Sequence, residues 1–309
     1  MLKMEIHKKV VAVPPYFYPN TCNFKYYPYE AWKLLGGRIA KSHYPYKGIR
    51  YFVHKYGVPN LFLSRSEARL RFVEACSLNF DTWPDSLFYE IIPLVWDCWP
   101  QHDCKLIEWF QKNNVKLCVF TCEEASYRIQ KALPELKILT ITEGINVDRY
   151  SAGLDLKDRE IDFYSYGRAP ESISNFNSDK FVVKRNGSDD EFSYRCKHSK
   201  LVYAVPQCDV LPVRTGGQET LTQRFWECML SRMLIVGRAP KELQNLLGYD
   251  PTLPIDIENL ETNIDYYLNN IDSYQKLVDK NRRNALRCAP WSIRMKQIMY
   301  FLRENGYDC

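Results

Sequence analysis

The sequence predicts a two-domain α/β protein whose domains are each built on an open, parallel, doubly wound sheet. Three observations carry this. Short apolar runs alternate with amphipathic helical stretches, joined by short links, from Val10 to Ile141 and again from Ile161 to Val236. The chain has 309 residues, the length of two domains at roughly 150 residues each. A polar, Gly-containing stretch, Asp148 to Glu160, separates the two alternations and reads as an interdomain linker and candidate hinge.

The elements follow in order. Val10 to Val13 is the first strand, stopped by Pro14-Pro15, and a Tyr/Asn/Pro-rich loop leads to a helix over Tyr29 to Ala40. Ser66 to Cys76 reads as a helix capped by Ser64 or Ser66, with Leu70, Val73 and Phe72 turned inward. The apolar runs Phe88 to Trp96 and Val115 to Phe120 read as strands flanking an amphipathic helix, Cys104 to Lys112. A helix over Glu123 to Leu133 and a strand over Leu136 to Ile141 complete the first alternation. In the second, strands are expected at Ile161 to Tyr166, Phe181 to Val183, Lys200 to Ala204 and Met233 to Val236, the last preceded by a helix over Thr222 to Leu230. Three helices close the chain, at Leu260 to Asn270, Ser273 to Arg287 and Ser292 to Asn305, with a break at Pro290. Ligands of such sheets bind beyond the carboxyl ends of the strands, which points to a cleft between the domains.

Composition narrows the function classes. Hydrophobic residues are 46% and charged residues 26% of the chain, which excludes disorder. No apolar run approaches the roughly 18 residues of a membrane span, and MLKMEIHKKVVAVPP is too short an apolar start for a secretory signal. A cytoplasmic location is therefore expected. The net charge of +5 suits a phosphorylated ligand or an anionic membrane surface and is too small to imply nucleic acid. The 11 cysteines lack two pairs at zinc-ligand spacing, so they read as reduced, buried thiols and no metal site is expected. Of the five histidines, only His102 falls near a candidate site; the Tyr-rich loops Tyr16 to Tyr29 and His43 to Tyr51 are a possible acceptor platform or a packed rim.

The sharpest pattern is Glu219-Thr-Leu-Thr-Gln-Arg-Phe-Trp-Glu227, two carboxylates seven residues apart, after Arg214-Thr-Gly-Gly217. Glu219 is expected at a helix start, where free amides and the dipole hold a phosphate. Glu227 would lie two turns along, roughly 12 Å away. One ligand could meet both, a sugar at Glu219 and a ribose at Glu227, because carboxylates accept paired hydroxyls. Spacing alone favours the plainer reading, an acid near a helix cap at Glu219 and a solvated helix position at Glu227.

The run ETLTQRFWECMLSRMLIVGRAPKEL resembles the donor-binding segment of GT-B glycosyltransferases, particularly the large retaining family (group 1, family 4) with two Glu seven residues apart. Three further segments match in order. Glu143-Gly-Ile-Asn-Val-Asp-Arg-Tyr150 is similar to the segment closing the family's first domain, Tyr166-Gly167-Arg168 to the V-G-R ending the first strand of the second domain, and Cys288-Ala-Pro-Trp-Ser292 to the F-S-W opening the final helix. Arg224-Phe-Trp-Glu227 also resembles the R-x-F-E of spore-maturation-protein-like members. The sequence departs from the pattern in having Thr-Leu-Thr where Gly-Phe-Gly follows the first Glu, and in lacking a Lys shortly after Arg168.

The resemblance implies a GT-B fold of two Rossmann-like domains facing across a cleft: an acceptor-side domain over 1–152, a nucleotide-sugar-binding domain over 153–290, and a C-terminal helix over 291–309 crossing back to the first. It implies a glycosyltransferase of polysaccharide or glycoconjugate biosynthesis, retaining and metal-independent, with a nucleotide-diphosphate sugar as donor and no cofactor. The acceptor would be a glycan or lipid-linked, with peripheral contact at the inner face of a membrane and no nucleic acid. Glu219, Arg168 and Asp97 would be catalytic, and Gly167, Arg168, Lys184, Gly217, Glu219, Thr220, Leu221, Thr222 and Glu227 would bind the donor. Lys184, Arg185 and Lys197 are alternatives for the second diphosphate cation. Two other readings stay open: an inverting fucosyltransferase-like enzyme using a guanosine diphosphate sugar, and a non-catalytic GT-B-like protein binding a glycan or nucleotide.

Overall fold

Apolar runs become strands in this chain only where neighbours complete the backbone hydrogen bonds, and every ladder between the strands described below is parallel. The structure, a computed structural model, describes residues 8–15, 23–41, 64–77, 82, 84–174, 181–183 and 189–309. It divides into two units, Met1–Gly144 with Trp291–Cys309 and Ile145–Pro290.

In the first unit, β1 (Lys8–Val13), β2 (Arg38–Ile39), β3 (Glu67–Glu74), β4 (Glu90–Trp96), β5 (Leu117–Phe120) and β6 (Lys137–Thr140) share one sheet with a last short strand, Tyr307–Asp308. Across it the order runs Tyr307–Asp308, β1, β3, β4, β5, β6, with β2 also on β1. All seven residues of β4 are buried, as expected of a central parallel strand. Pro93 is tolerated within it because the ladder to β5 begins only at Leu94. One sheet face packs Val10, Ala12, Leu70 and Leu94 against Trp32 and the helix Trp291–Glu304, whose Trp291, Met295, Ile298, Met299 and Leu302 form its apolar stripe. The other packs Val73, Val95, Cys118 and Phe120 against Leu106 and Phe110 of the helix Asp103–Lys112 and Ile129 of the helix Glu123–Ala132.

The second unit has β7 (Ile161–Ser165), β8 (Phe181–Val183), β9 (Ser199–Ala204) and β10 (Leu234–Gly237), in the order β10, β9, β7, β8. Tyr164, Val202, Ala204 and Ile235 pack against Phe225, Trp226, Met229 and Leu230 of the helix Gln223–Leu230. On the opposite face Phe163, Leu201, Tyr203 and Val236 pack against Leu260 and Ile264 of the helix Leu260–Asn269 and Val278 of the helix Gln275–Cys288. The chain enters this unit at Ile145 and leaves it at Pro290, and these two residues bridge in parallel, with Ile145 N–H donating to Ala289 O at 2.9 Å.

Three expectations are corrected. Ser66 to Cys76 is not a helix: Glu67–Glu74 is a strand. Its alternation has period two, with Ala68, Leu70 and Phe72 toward one core, while Arg69 and Arg71 are buried beside Asp85, at 3.9 and 2.8 Å. Arg71 donates to Asp85 Oδ2, and Arg69 stacks over the Tyr89 ring, 3.7 Å from its centroid, so tertiary neighbours bury both side chains. The first helix spans Tyr27–Leu34, ending ahead of Gly36, whose φ is +90°. Asp148 to Glu160 is part of the second unit, with Leu156 in its core and Arg159 buried.

The ten described cysteines are all free. Cys98, Cys118, Cys122, Cys196 and Cys228 are buried, while Cys104 is exposed and the rest are half-buried, so burial holds for only part of the set. No helix among the described residues is long and apolar enough to cross a membrane.

Candidate nucleotide-sugar site

The carboxyl end of β7 is the centre of the candidate site. After Ser165 the chain turns through Tyr166 and Gly167, whose φ of +71° is left-handed. A Cβ at Gly167 would be strained at this φ and would displace the Arg224 guanidinium, so glycine lets the arginine sit against the turn. Arg224, in the first turn of the helix Gln223–Leu230, donates from Nη1 to Arg168 O at 2.9 Å and lies 5.4 Å over the Tyr166 ring.

One turn further along the same helix face, Glu227 meets the same tyrosine. Its Oε2 accepts from the Tyr166 hydroxyl at 3.0 Å and its Oε1 from the Tyr150 hydroxyl at 3.1 Å. Tyr166 is thus bracketed by Arg224 above its ring and Glu227 at its hydroxyl. Burial raises the Glu227 pKa above the usual carboxylate value, against the opposing hydrogen bonds from the two tyrosines. Burial, then the Glu227 charge, raises the Tyr150 pKa, so its hydroxyl stays a donor. A carboxylate offers about four lone-pair sites, and the two tyrosines use two of them.

Glu219 lies elsewhere than expected. The helix begins at Gln223 after Thr222, whose backbone is extended, so Glu219 and Glu227 are not two positions on one helix. The Leu221 amide donates to Glu242 Oε2 at 3.0 Å, tying the intervening segment to the next helix, Lys241–Leu247. Glu219 accepts from the Lys241 amide at the start of that helix and from Arg238 Nη1 at 2.9 Å. Arg238 also grips Asp209 through two bonds, at 2.9 and 2.7 Å. Those bonds lower the Asp209 pKa below the ordinary 3.8.

Thr220 and Leu221 are buried and Thr222 is half-buried, between two elements that hold them in place. Gly217 follows Gly216 with both φ angles positive, and nothing lies within 4 Å of where a Gly217 Cβ would sit. Arg168 is exposed and Lys197 half-buried; Lys184 and Arg185 lie outside the described residues, as do most of the two Tyr-rich loops. Three polar atoms near the carboxyl ends of these strands are buried without a hydrogen-bond partner among the described residues: Ser165 Oγ, Gln207 Nε2 and Gln223 Nε2.

In the first unit, Asp97 follows β4 with a left-handed φ of +49° and accepts from Cys76 Sγ at 3.8 Å. Among the described residues Glu74, Cys76 and Asp97 are the one trio whose ligand atoms lie within 4.8 Å of one another. Lys25 already supplies a cation there, 3.0 Å from Glu74. Trp96, just before Asp97, is stacked between Phe24 and Trp291. His102 is half-buried in the turn before the helix Asp103–Lys112, and burial followed by Lys105 lowers its pKa. Asp97 and His102 both belong to the first unit, whereas Glu219 and Glu227 belong to the second.

Sequence reasoning assigned no role to Arg224, Tyr166 or Tyr150. The signal for Arg224 was present in Arg224-Phe-Trp-Glu227. The tyrosines' meeting at Glu227 depends on two segments separated from it by 61 and 77 residues.

No protein-family model matches the sequence, and neither does any curated protein sequence. Solved structures do match the fold. A glycosyltransferase from Rickettsia africae aligns with a TM-score of 0.57 and 13% identity, over 96% of this chain and 98% of that one. A sucrose-phosphate synthase from Thermosynechococcus elongatus aligns at 0.60 and 10% identity, over 96% and 99%. HepE from Anabaena, in complex with UDP and glucose, aligns at 0.58 and 9% identity, over 96% and 100%. The protein therefore has the GT-B fold, with Rossmann-like α/β units built on parallel sheets.

Proposed function

We propose that the protein is a glycosyltransferase that moves a sugar from a nucleotide-diphosphate sugar to a glycan or lipid-linked acceptor. The observation that carries this reading is the cluster at the end of β7. There Arg224, the Gly167 turn and Glu227 converge on Tyr166, beside the unpartnered buried Ser165 hydroxyl. Cation, free amides and a held carboxylate are what a nucleoside diphosphate demands. The fold shared with HepE, which was solved with UDP and glucose, supports the same donor class.

In this reading Arg224 and Arg168 neutralise the diphosphate, which answers the absence of the expected Lys and leaves Lys184 a secondary role. The amides opening the helix Gln223–Leu230, with Thr220 and Thr222 before them, face the same phosphates, whereas the Leu221 amide is already given to Glu242. Glu227 takes the ribose hydroxyls on its two remaining lone-pair sites, and the Gly217 turn leaves room for the ligand. Glu219, held by Arg238, contacts the donor sugar. Reaction needs no protein nucleophile: the departing phosphate oxygen takes the acceptor hydroxyl's proton, and positive charge stabilises the leaving group. Transfer would retain the anomeric configuration without a metal, with Asp97 serving the acceptor side. The setting would be polysaccharide or glycoconjugate synthesis in the cytoplasm.

The test is thermal stabilisation across a panel of nucleotides and nucleotide sugars, followed by a diphosphate-release assay on the tightest binder. A nucleoside diphosphate that raises the melting temperature, with turnover of its sugar conjugate, supports the enzyme and names the base. Binding of a nucleotide or glycan without turnover of any nucleotide sugar would leave a non-catalytic binding protein and overturn the enzyme reading.

A further inference from the structure

One helix face of the second unit carries charge that the protein itself leaves unanswered. The helix Gln275–Cys288 buries Val278, Asn281 and Ala285. Its opposite face presents Lys276, Lys280, Arg283 and Arg287, all exposed. Their spacings of four, three and four residues put them in one stripe about 17 Å long at 1.5 Å per residue.

Among the described residues none of the four forms an ion pair. Lys280 rests 3.4 Å over the Tyr249 ring, and Arg287 donates to Asn284 Oδ1 at 2.9 Å. The helix's one carboxylate, Asp279, is taken by Arg232 at 2.7 Å. Asp250, beside Tyr249, accepts from Thr252 and Gln244. Asp272, one turn before Lys276, forms no ion pair with it. Like charges three and four residues apart on a helix repel, so the stripe adds nothing to the helix's own stability.

We propose that this face docks on an anionic phospholipid surface. A straight row of cations on a helix meets a plane of headgroup phosphates along its whole length, and each cation adds to the attraction. Leu286, 42% exposed, lies beside Arg283 and Arg287, where an apolar side chain can enter the headgroup layer while lysine and arginine stems lie along it. Sequence-specific recognition of a nucleic acid would need groups that read bases, and the nearest amide, Asn284, is already bonded to Tyr249 and Arg287. The proposal uses none of the residues of the candidate site and stands independently of the enzyme reading.

The experiment is co-sedimentation of the full-length protein with phosphatidylcholine vesicles, with and without phosphatidylglycerol. The wild type is compared with Lys276→Gln/Lys280→Gln/Arg283→Gln/Arg287→Gln. A control removes four exposed lysines of the first unit, Lys105→Gln/Lys112→Gln/Lys116→Gln/Lys131→Gln, for the same change in net charge. All four positions in each set are exposed, and melting curves verify folding. The expected result is binding to the anionic vesicles alone, weakened on the order of a thousandfold in the stripe variant and far less in the control. Equal binding to both vesicle types, an equal loss in the control, or wild-type binding by the stripe variant would overturn the proposal. So would binding to an RNA or DNA oligonucleotide in place of vesicles, which would assign the stripe to nucleic acid.

Discussion

Arg159 shows how much one buried side chain organises. It is 2% exposed and forms no salt bridge among the described residues. It donates instead to four carbonyls, those of Ala152, Leu154, Ser199 and Ser231, at 2.7 to 3.0 Å. Burial, reinforced by Arg232, pushes its pKa down to about 10, so it is still charged at neutral pH. Arg159→Met should leave four carbonyls unpaired and cost roughly 2–4 kcal/mol in denaturant unfolding, with Arg159→Lys recovering part of the loss. At the candidate site, Arg224→Ala should weaken a nucleoside diphosphate roughly 10- to 100-fold by calorimetry while leaving the free nucleoside's affinity unchanged. Gly167→Ala should produce a similar loss by displacing the Arg224 guanidinium, together with a lower melting temperature from the strained φ. Unchanged affinity in both variants would remove Arg224 from the diphosphate site.

At the scale of elements, the helix Gln223–Leu230 has two jobs on two faces. Phe225, Trp226, Met229 and Leu230 fix it on the sheet, while Arg224 and Glu227 flank Tyr166. The loop before this helix and the turns after β9 and β10 are joined through Asp209, Arg238 and Glu219, with Leu221 and Ala239 in the apolar core beside them. Asp209's pKa is depressed in the folded state, chiefly by its hydrogen bonds from Arg238, so its contribution is present above the unfolded value near 3.8 and is lost as pH falls through the lower folded value. Stability measured by denaturant from neutral pH downward should therefore fall through that acid window, and Asp209→Asn should flatten part of the fall. A slope identical to wild type would show that the pair makes no net contribution, as solvent-exposed ion pairs often do not.

The whole molecule is two units threaded by a chain that crosses twice, at Gly144–Ile145 and Pro290–Trp291. Each crossing is anchored locally: Arg294 donates to the Thr142 hydroxyl at 2.7 Å in the first unit, and Ile145 bonds Ala289 in the second. The second unit is continuous in sequence and has apolar cores on both sheet faces. Residues 145–290 expressed alone should give a cooperative melt and retain nucleotide affinity. Residues 1–144 alone should not fold, because Trp291, Met295, Ile298 and Leu302 of the final helix complete their core. A cooperative melt of 1–144 by circular dichroism would refute that dependence.

The sequence by itself determined the elements whose signals are local. Alternating apolar runs place β4, β5, β7, β9 and β10, and the stripe in Thr222 to Leu230 places that helix, since burying one face is a property of spacing alone. Gly167-Arg168 at a strand end was legible through its resemblance to the V-G-R of GT-B glycosyltransferases. Tertiary structure decided what spacing cannot express. Glu67–Glu74 is a strand because β1 and β4 complete its backbone hydrogen bonds on both sides, and Glu219 leaves the helix because Arg238 and the Lys241 amide hold it. Glu227 has its present environment because Tyr150 and Tyr166 reach it from distant segments. A buried charge or carboxylate takes its conformation from whichever partner desolvation forces upon it, and that partner is fixed by the fold rather than by the residues next to it in sequence.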